Sequence, residues 1–439
     1  MRRILIVLCA LLPASVWLSC GGYSSPSSSQ SSGLTYRAFL SNTVSAGTLA
    51  AGVYMIDASK DRNPGRPPIS AGNSPNLMVL TPNHSLTLVF SGNGTKFADN
   101  LLTVISNAAE SDVAHVALPG HTDSLVISPD SSTAYVALPT APVVGQPPGI
   151  VEAISLSTGV TGQADVPGVH YLAIDNLGGR LLGFSDNSDQ VAVITPSQIG
   201  IGPAVTYVGG FDRPVAAFFS SDNTTAYVLN CGAECGGTQA SVQQFDLNTN
   251  ALGAKVAACS PGSNPQCAGS EALVNGSTMY VAGTPPFVNG VPAQPCTGET
   301  TASPSCGLLN AIDLNSMTVT NTAPIIITDG YHDRIALGAN GQLFIGARTC
   351  TEIVPPVPPP AGAETRGCLS IYNTQTGAVV IPPANGDVTG IQPLSKRPVV
   401  YVVQNGSLGI YDTTTAALQT TIQIVNLVGQ FYDVKTVDF

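Results

Sequence analysis

Short apolar runs punctuated by Gly, Pro, Ser, Asn and Asp fill the chain from about residue 35 to its end. One set of runs is Leu77-Met78-Val79-Leu80, Leu125-Val126-Ile127, Leu172-Ala173-Ile174, Ala216-Ala217-Phe218, Ala272-Leu273-Val274, Ile335-Ala336-Leu337 and Gly390-Ile391. After a tight turn, a second set follows: Tyr135-Val136-Ala137, Tyr227-Val228-Leu229-Asn230, Met279-Tyr280-Val281-Ala282, Leu343-Phe344-Ile345 and Tyr401-Val402-Val403. A third set ends in Asp or Asn, which can close an Asx-turn: Phe245-Asp246, Ile312-Asp313, Ile371-Tyr372-Asn373 and Ile410-Tyr411-Asp412. Runs of this length with period-two alternation predict half-buried strands.

The runs repeat. Ser128-Pro129-Asp130-Ser131-Ser132-Thr133-Ala134-Tyr135-Val136 matches Ser220-Ser221-Asp222-Asn223-Thr224-Thr225-Ala226-Tyr227-Val228, 92 residues later, or two units of about 46. Four short strands in a unit of roughly 40–50 residues make a propeller blade. Seven first strands are complete within the chain. Phe431–Phe439 reads as one more first strand with no second, and Tyr36–Leu40 with Val53–Asp57 as second and third strands with no first. Joining them closes the ring and removes its open edge. The expectation is an all-β protein, a β-propeller of eight blades of four antiparallel strands sealed by its two termini, with seven blades as the alternative.

The ends set the organisation. Met1-Arg2-Arg3, an apolar stretch from Ile4 to Leu12, and Leu18-Ser19-Cys20 read as a secretory signal with a lipobox-like end, which makes Cys20 the lipidated residue. Residues 21–34 are almost all Gly, Ser and Pro, the composition of a flexible tether. The expected division is signal 1–20, tether 21–34 and one propeller over 35–439, exported and held to a membrane through lipid alone. No later run is long enough to span a bilayer.

A net charge of −11 with only 16 Lys and Arg in 439 residues leaves no basic stripe for phosphate backbones, which excludes nucleic acid. Apart from Cys9 and Cys20, eight cysteines fall into four close pairs: Cys231–Cys235, Cys259–Cys267, Cys296–Cys306 and Cys350–Cys368. An even number in an exported chain, with no histidine near any pair, points to disulfides over metal ligation.

The Tyr-Val-x-Asn strand after a Ser-Pro-Asp turn resembles the YVTN-type repeat propellers of exported bacterial and archaeal proteins. The resemblance covers nearly all of 35–439 and is best over Ser128–Val136 and Ser220–Asn230. It implies a propeller related to surface-layer and adhesion-like proteins and, more distantly, to propeller lactonases. The only tryptophan is Trp17, which disfavours WD-repeat and quinoprotein-type blades.

Turns between first and second strands are short, whereas loops between second and third strands are long and carry cysteines. The long-loop face is therefore the expected binding face. Ionisable residues gather there where first strands enter the channel: His121, Asp123, His170, Asp212, Arg213, Glu271, His332, Asp333, Arg334, Asp387 and Asp433. Such a ring can hold a divalent cation or polarise a small polar ligand; an Asp at each corner can also simply cap a turn. His84, on a turn, and His115, on an outer strand, sit apart. No nucleophile elbow, phosphate loop or dinucleotide fingerprint occurs. Two functions fit: a binding scaffold for a protein or small polar ligand, and a lactonase-like or metal-assisted hydrolase at the channel mouth.

Overall fold

The computed structural model describes residues 31–43, 50–92, 99–260, 267–288, 291–292, 305–351, 366–382, 386–415, 423–424 and 429–438. Residues 1–30, on which the expected signal and most of the expected tether fall, Cys296, and the greater part of the loops after Gly283 and Arg348 lie outside them. Ser31–Phe439 forms one compact unit. Among the described residues no helix is long and apolar enough to cross a membrane.

The unit is an eight-bladed β-propeller. Innermost strands of blades 2 to 8 are Pro75–Leu80, Leu125–Ile127, Val169–Ile174, Pro214–Phe219, Glu271–Asn275, Tyr331–Leu337 and Val388–Pro393. Blade 1 takes its innermost strand from the C-terminus. Phe431–Thr436 pairs antiparallel with Arg37–Asn42, with Leu40 opposite Val434, and Arg37–Asn42 pairs onward with Gly52–Asp57. The outer edge of this blade is reduced to a bridge between Val53 and Ile69. The termini thus share a blade, as the unmatched runs at the two ends predict.

Burial, however, follows a strand's place in its blade more than a period of two. Arg37–Asn42 and Val399–Gln404 are buried at all six positions, whereas Leu252–Ala257 is largely exposed. Middle strands are covered on both faces because each blade is sandwiched between two neighbours. The core is accordingly a circle of eight apolar layers, one at each blade junction. The layer between blades 8 and 1 contains Leu40, Tyr54, Ile56, Tyr401, Val403, Phe431 and Val434.

The repeated Ser-Pro-Asp turn has two tasks. Within a blade, Asp130 accepts from the Ser128 hydroxyl at 2.6 Å and the Ser132 amide at 3.0 Å, and Asp222 does the same for Ser220 and Thr224. Between blades, the Asn176 amide donates to Asn223 at 3.0 Å, and Asn223 donates to Asp175 at 3.0 Å. Asn223 holds a positive φ of 58°, a conformation that Asn adopts at lower cost than most residues. His84 occupies a matching turn, with φ 54°.

Three disulfides are present as the spacing predicts: Cys231–Cys235, Cys259–Cys267 and Cys350–Cys368. The Cys296–Cys306 pairing involves a residue outside the described part.

Candidate functional site

Six of the eight innermost strands slip register by one residue near the long-loop face. A β-bulge of this kind turns the extra side chain out of its ladder position. In blade 4 the extra residue is His170, because Val169 and Tyr171 face the consecutive partners Ser185 and Phe184. In blade 7 it is Asp333, between His332 and Arg334. Bulging therefore places these two groups at the channel mouth, where they line a cavity of about 750 Å³ with Asp123, Asp186, Arg213, Glu271, Arg334 and Arg348. Tyr171, Tyr331 and Tyr432 add phenol groups to the same wall.

His170 is fixed at both nitrogens. Its Nδ1 lies 2.9 Å from Asp186 and its Nε2 3.3 Å from Asp123, and its ring stacks on Tyr171 with centroids 4.4 Å apart. Burial opposes the imidazolium charge, but the hydrogen bonds to Asp123 and Asp186 outweigh it and push the pKa up to about 9. Hydrogen bonds from His121 and then His170 hold Asp123 well below the usual carboxylate range. His170 is thus a standing cation at neutral pH, with no free nitrogen to act as a base.

Across the channel, the Tyr171 hydroxyl meets that of Tyr331 at 2.8 Å, linking blade 4 to blade 7. Burial pushes Tyr171 up to about 12, so both phenols keep their protons. On blade 7, Arg348 donates to Asp333 at 2.6 Å and lies over the Tyr432 ring, 5.4 Å from its centroid. Arg334 donates Nε to the Thr389 carbonyl at 2.7 Å. Burial raises the pKa of Asp333. Three polar atoms on this wall, Arg213 Nε, Arg348 Nε and Asp333 Oδ1, are buried without a hydrogen-bond partner in the protein.

Burial raises the pKa of two glutamates far above the ordinary carboxyl value. Burial pushes Glu271, on the cavity wall, up to about 7. It pushes Glu234, inside the Cys231–Cys235 loop and hydrogen-bonded by Ser270 at 3.2 Å, up to about 8. A raised carboxyl pKa stabilises the fold most below the ordinary 4.5, and that contribution is lost as pH rises through 8. Glu234→Gln does not titrate. Its stability relative to wild type should therefore climb between pH 5 and pH 8, at up to about 1.4 kcal/mol per pH unit. Urea unfolding of both proteins at the two pH values checks this; a difference independent of pH would contradict it.

The remaining ring candidates do not line this cavity. Asp212 turns away from the channel to accept from the Thr238 hydroxyl, the Thr238 amide at 2.9 Å and the Gln239 amide at 2.8 Å. Asp387 accepts from the Thr349 amide at 2.7 Å. Asp433 is fully buried and ties the closing strand to blade 2 by accepting from the Met78 amide at 2.9 Å. His332 is packed between blades, where burial pushes its pKa down to about 4. His121 supports Asp123 from behind at 3.2 Å. The sequence reading missed Asp186, Arg348 and the three tyrosines. Tyr432 precedes the flagged Asp433 and Tyr331 precedes the flagged His332, a neighbourhood that could have drawn attention to both.

Among the described residues, no group of three His, Cys, Asp or Glu side chains is arranged to hold a metal ion. A second cavity, of about 790 Å³, opens on the short-turn face, where Val126, Ile174, Phe218, Phe219, Tyr227 and Val274 give it an apolar wall.

No family model matches the chain, and no curated protein matches it. Solved structures do. A dihydro-heme d1 dehydrogenase, NirN, in complex with DHE, superposes with a TM-score of 0.58 at 13% identity, over 92% of this chain and 75% of that one. The periplasmic gluconolactonase PpgL of Pseudomonas aeruginosa gives 0.50 at 15% identity, over 91% and 98%. Identities this low establish the β-propeller architecture and carry nothing about chemistry.

Proposed function

We propose that this chain is an exported, lipid-tethered propeller of the YVTN-repeat type that binds a small polar ligand in its channel mouth on the long-loop face. The observation that carries the reading is the set of buried hydrogen-bonding atoms left without protein partners on the wall of a ligand-sized cavity. Buried polar atoms in folded proteins are nearly always paired, and cavities of about 300–1,000 Å³ with a few convergent polar groups are the usual form of small-molecule sites. Disulfide bonds support export. The tether composition and Cys20 support a lipid anchor, and a Cys20→Ala variant should leave the membrane fraction if that is right.

The binding reading is tested by a thermal-shift screen of small polar molecules on the full chain. Compounds that raise the melting temperature should lose their effect in Ala216→Trp, which fills the channel wall. Retention of every hit by that variant would place binding elsewhere. Hydrolysis is the second reading, favoured by Glu271, the wall carboxyl that changes charge near neutrality. The gluconolactonase neighbour adds interest to it without adding weight. Lactone turnover that Glu271→Gln abolishes, unaffected by chelator, would replace the binding-only account.

A further inference from the structure

The wall of the channel mouth is rich in cationic side chains out of proportion to the chain. With 16 Lys and Arg in 439 residues, the 27 residues lining this cavity should hold about one, yet they hold Arg213, Arg334 and Arg348, with His170 as a fourth cation. These gather in a protein whose net charge is −11. Of the four acids beside them, burial shifts Glu271 toward its neutral form, and the other three already have partners. Asp123 and Asp186 hold His170, and Asp333 holds Arg348 through one oxygen.

What is uncommitted sorts by type. Arg213 Nε and Arg348 Nε are donors on permanently charged groups, and Asp333 Oδ1 is an acceptor. Arg348 and Asp333 are in contact, so a donor for an anion and an acceptor for a hydroxyl lie side by side. Guanidinium groups match carboxylate and phosphate oxygens in geometry as well as charge. Resting on the binding reading above, we infer that the ligand is a small hydroxylated organic oxyanion, its charged end on Arg348 or Arg213 and a hydroxyl donating to Asp333.

Matched probes test this on the full chain by calorimetric titration: glucuronate and glucose 6-phosphate against glucose, and tartrate against threitol. The acids should bind and their neutral partners should not, and the pair of glucose derivatives separates a carboxylate from a phosphate preference. Arg348→Met should weaken acid binding at least tenfold in protein that still melts cooperatively. Asp333→Asn should reduce the gain that hydroxylated tartrate shows over succinate. Equal binding of neutral partners would overturn the oxyanion class and leave the binding reading standing. Acid binding unchanged in both Arg348→Met and Arg213→Met would show non-specific charge attraction and overturn it too. If no acid binds at 10 mM while another class of compound passes the Ala216→Trp screen, the ligand class is wrong; if no compound passes that screen, the site itself is wrong.

Discussion

A chain ending at Gln430 should fail to give a soluble, cooperatively folding propeller. The deletion removes Phe431, Val434 and Val437, each buried, and the edge contact of Phe431 with Tyr54 at 6.1 Å. Burial of such a side chain contributes about 1.5–3 kcal/mol, so the three rival the roughly 5–15 kcal/mol that typically holds a domain together. Two further ties go with them. Asp433 no longer accepts from Met78 of blade 2, and Arg37 loses Asp438. Arg37–Asn42 is left as an unpaired edge, a template for aggregation. Expression and size-exclusion chromatography with thermal melting check the expectation; a melting point within a few degrees of the full chain would mean that closure adds little.

The second large effect is expected at Arg37. Its guanidinium grips Asp438 through Nε at 2.7 Å and a second nitrogen at 2.6 Å, and donates to Glu110 and the Asn107 carbonyl, both at 2.7 Å. Glu110 also receives the Ser32 amide and hydroxyl, each at 2.5 Å, so this residue fastens the start of the propeller. Arg37 and Glu110 are nearly inaccessible, while Asp438 keeps about a fifth of its side-chain surface. Removing one partner of a buried pair typically costs 3–5 kcal/mol because a charge is stranded; the partial exposure of Asp438 places Arg37→Met near the lower end, about 3 kcal/mol. Urea unfolding measures it. A loss under about 0.5 kcal/mol, the scale of an ordinary surface substitution, would show that the network does not secure the termini.

The ring was legible from residues because its signals are local. The Ser-Pro-Asp turn places a side chain on its own backbone, and the unmatched runs at the ends require only counting. Cysteine pairing was legible for the same reason in the three bridges described. The site was harder. Which of His170, Asp212, Asp333 and Asp387 enters the channel depends on which residue falls at a one-residue slip in the ladder, a place held by His170 and Asp333 but by Val215 and Thr389 in the blades of the other two, and nothing in the side-chain pattern marks it. Asp212 and Asp333 look alike in sequence, yet one caps Thr238 and Gln239 and the other meets Arg348. His332 shows the same ambiguity, since the slip that frees Asp333 turns its neighbour between the blades. Tyr171 and Tyr331 are 160 positions apart and meet only through ring closure.

On the proposed reading, this protein binds its ligand in the channel mouth on the long-loop face. A crystal structure of the full chain with the tightest compound from the screen tests it most directly. Density for the compound between His170, Asp333 and Arg348 is the predicted result. Density in the apolar cavity behind Phe218 and Phe219, or outside the channel altogether, would contradict it.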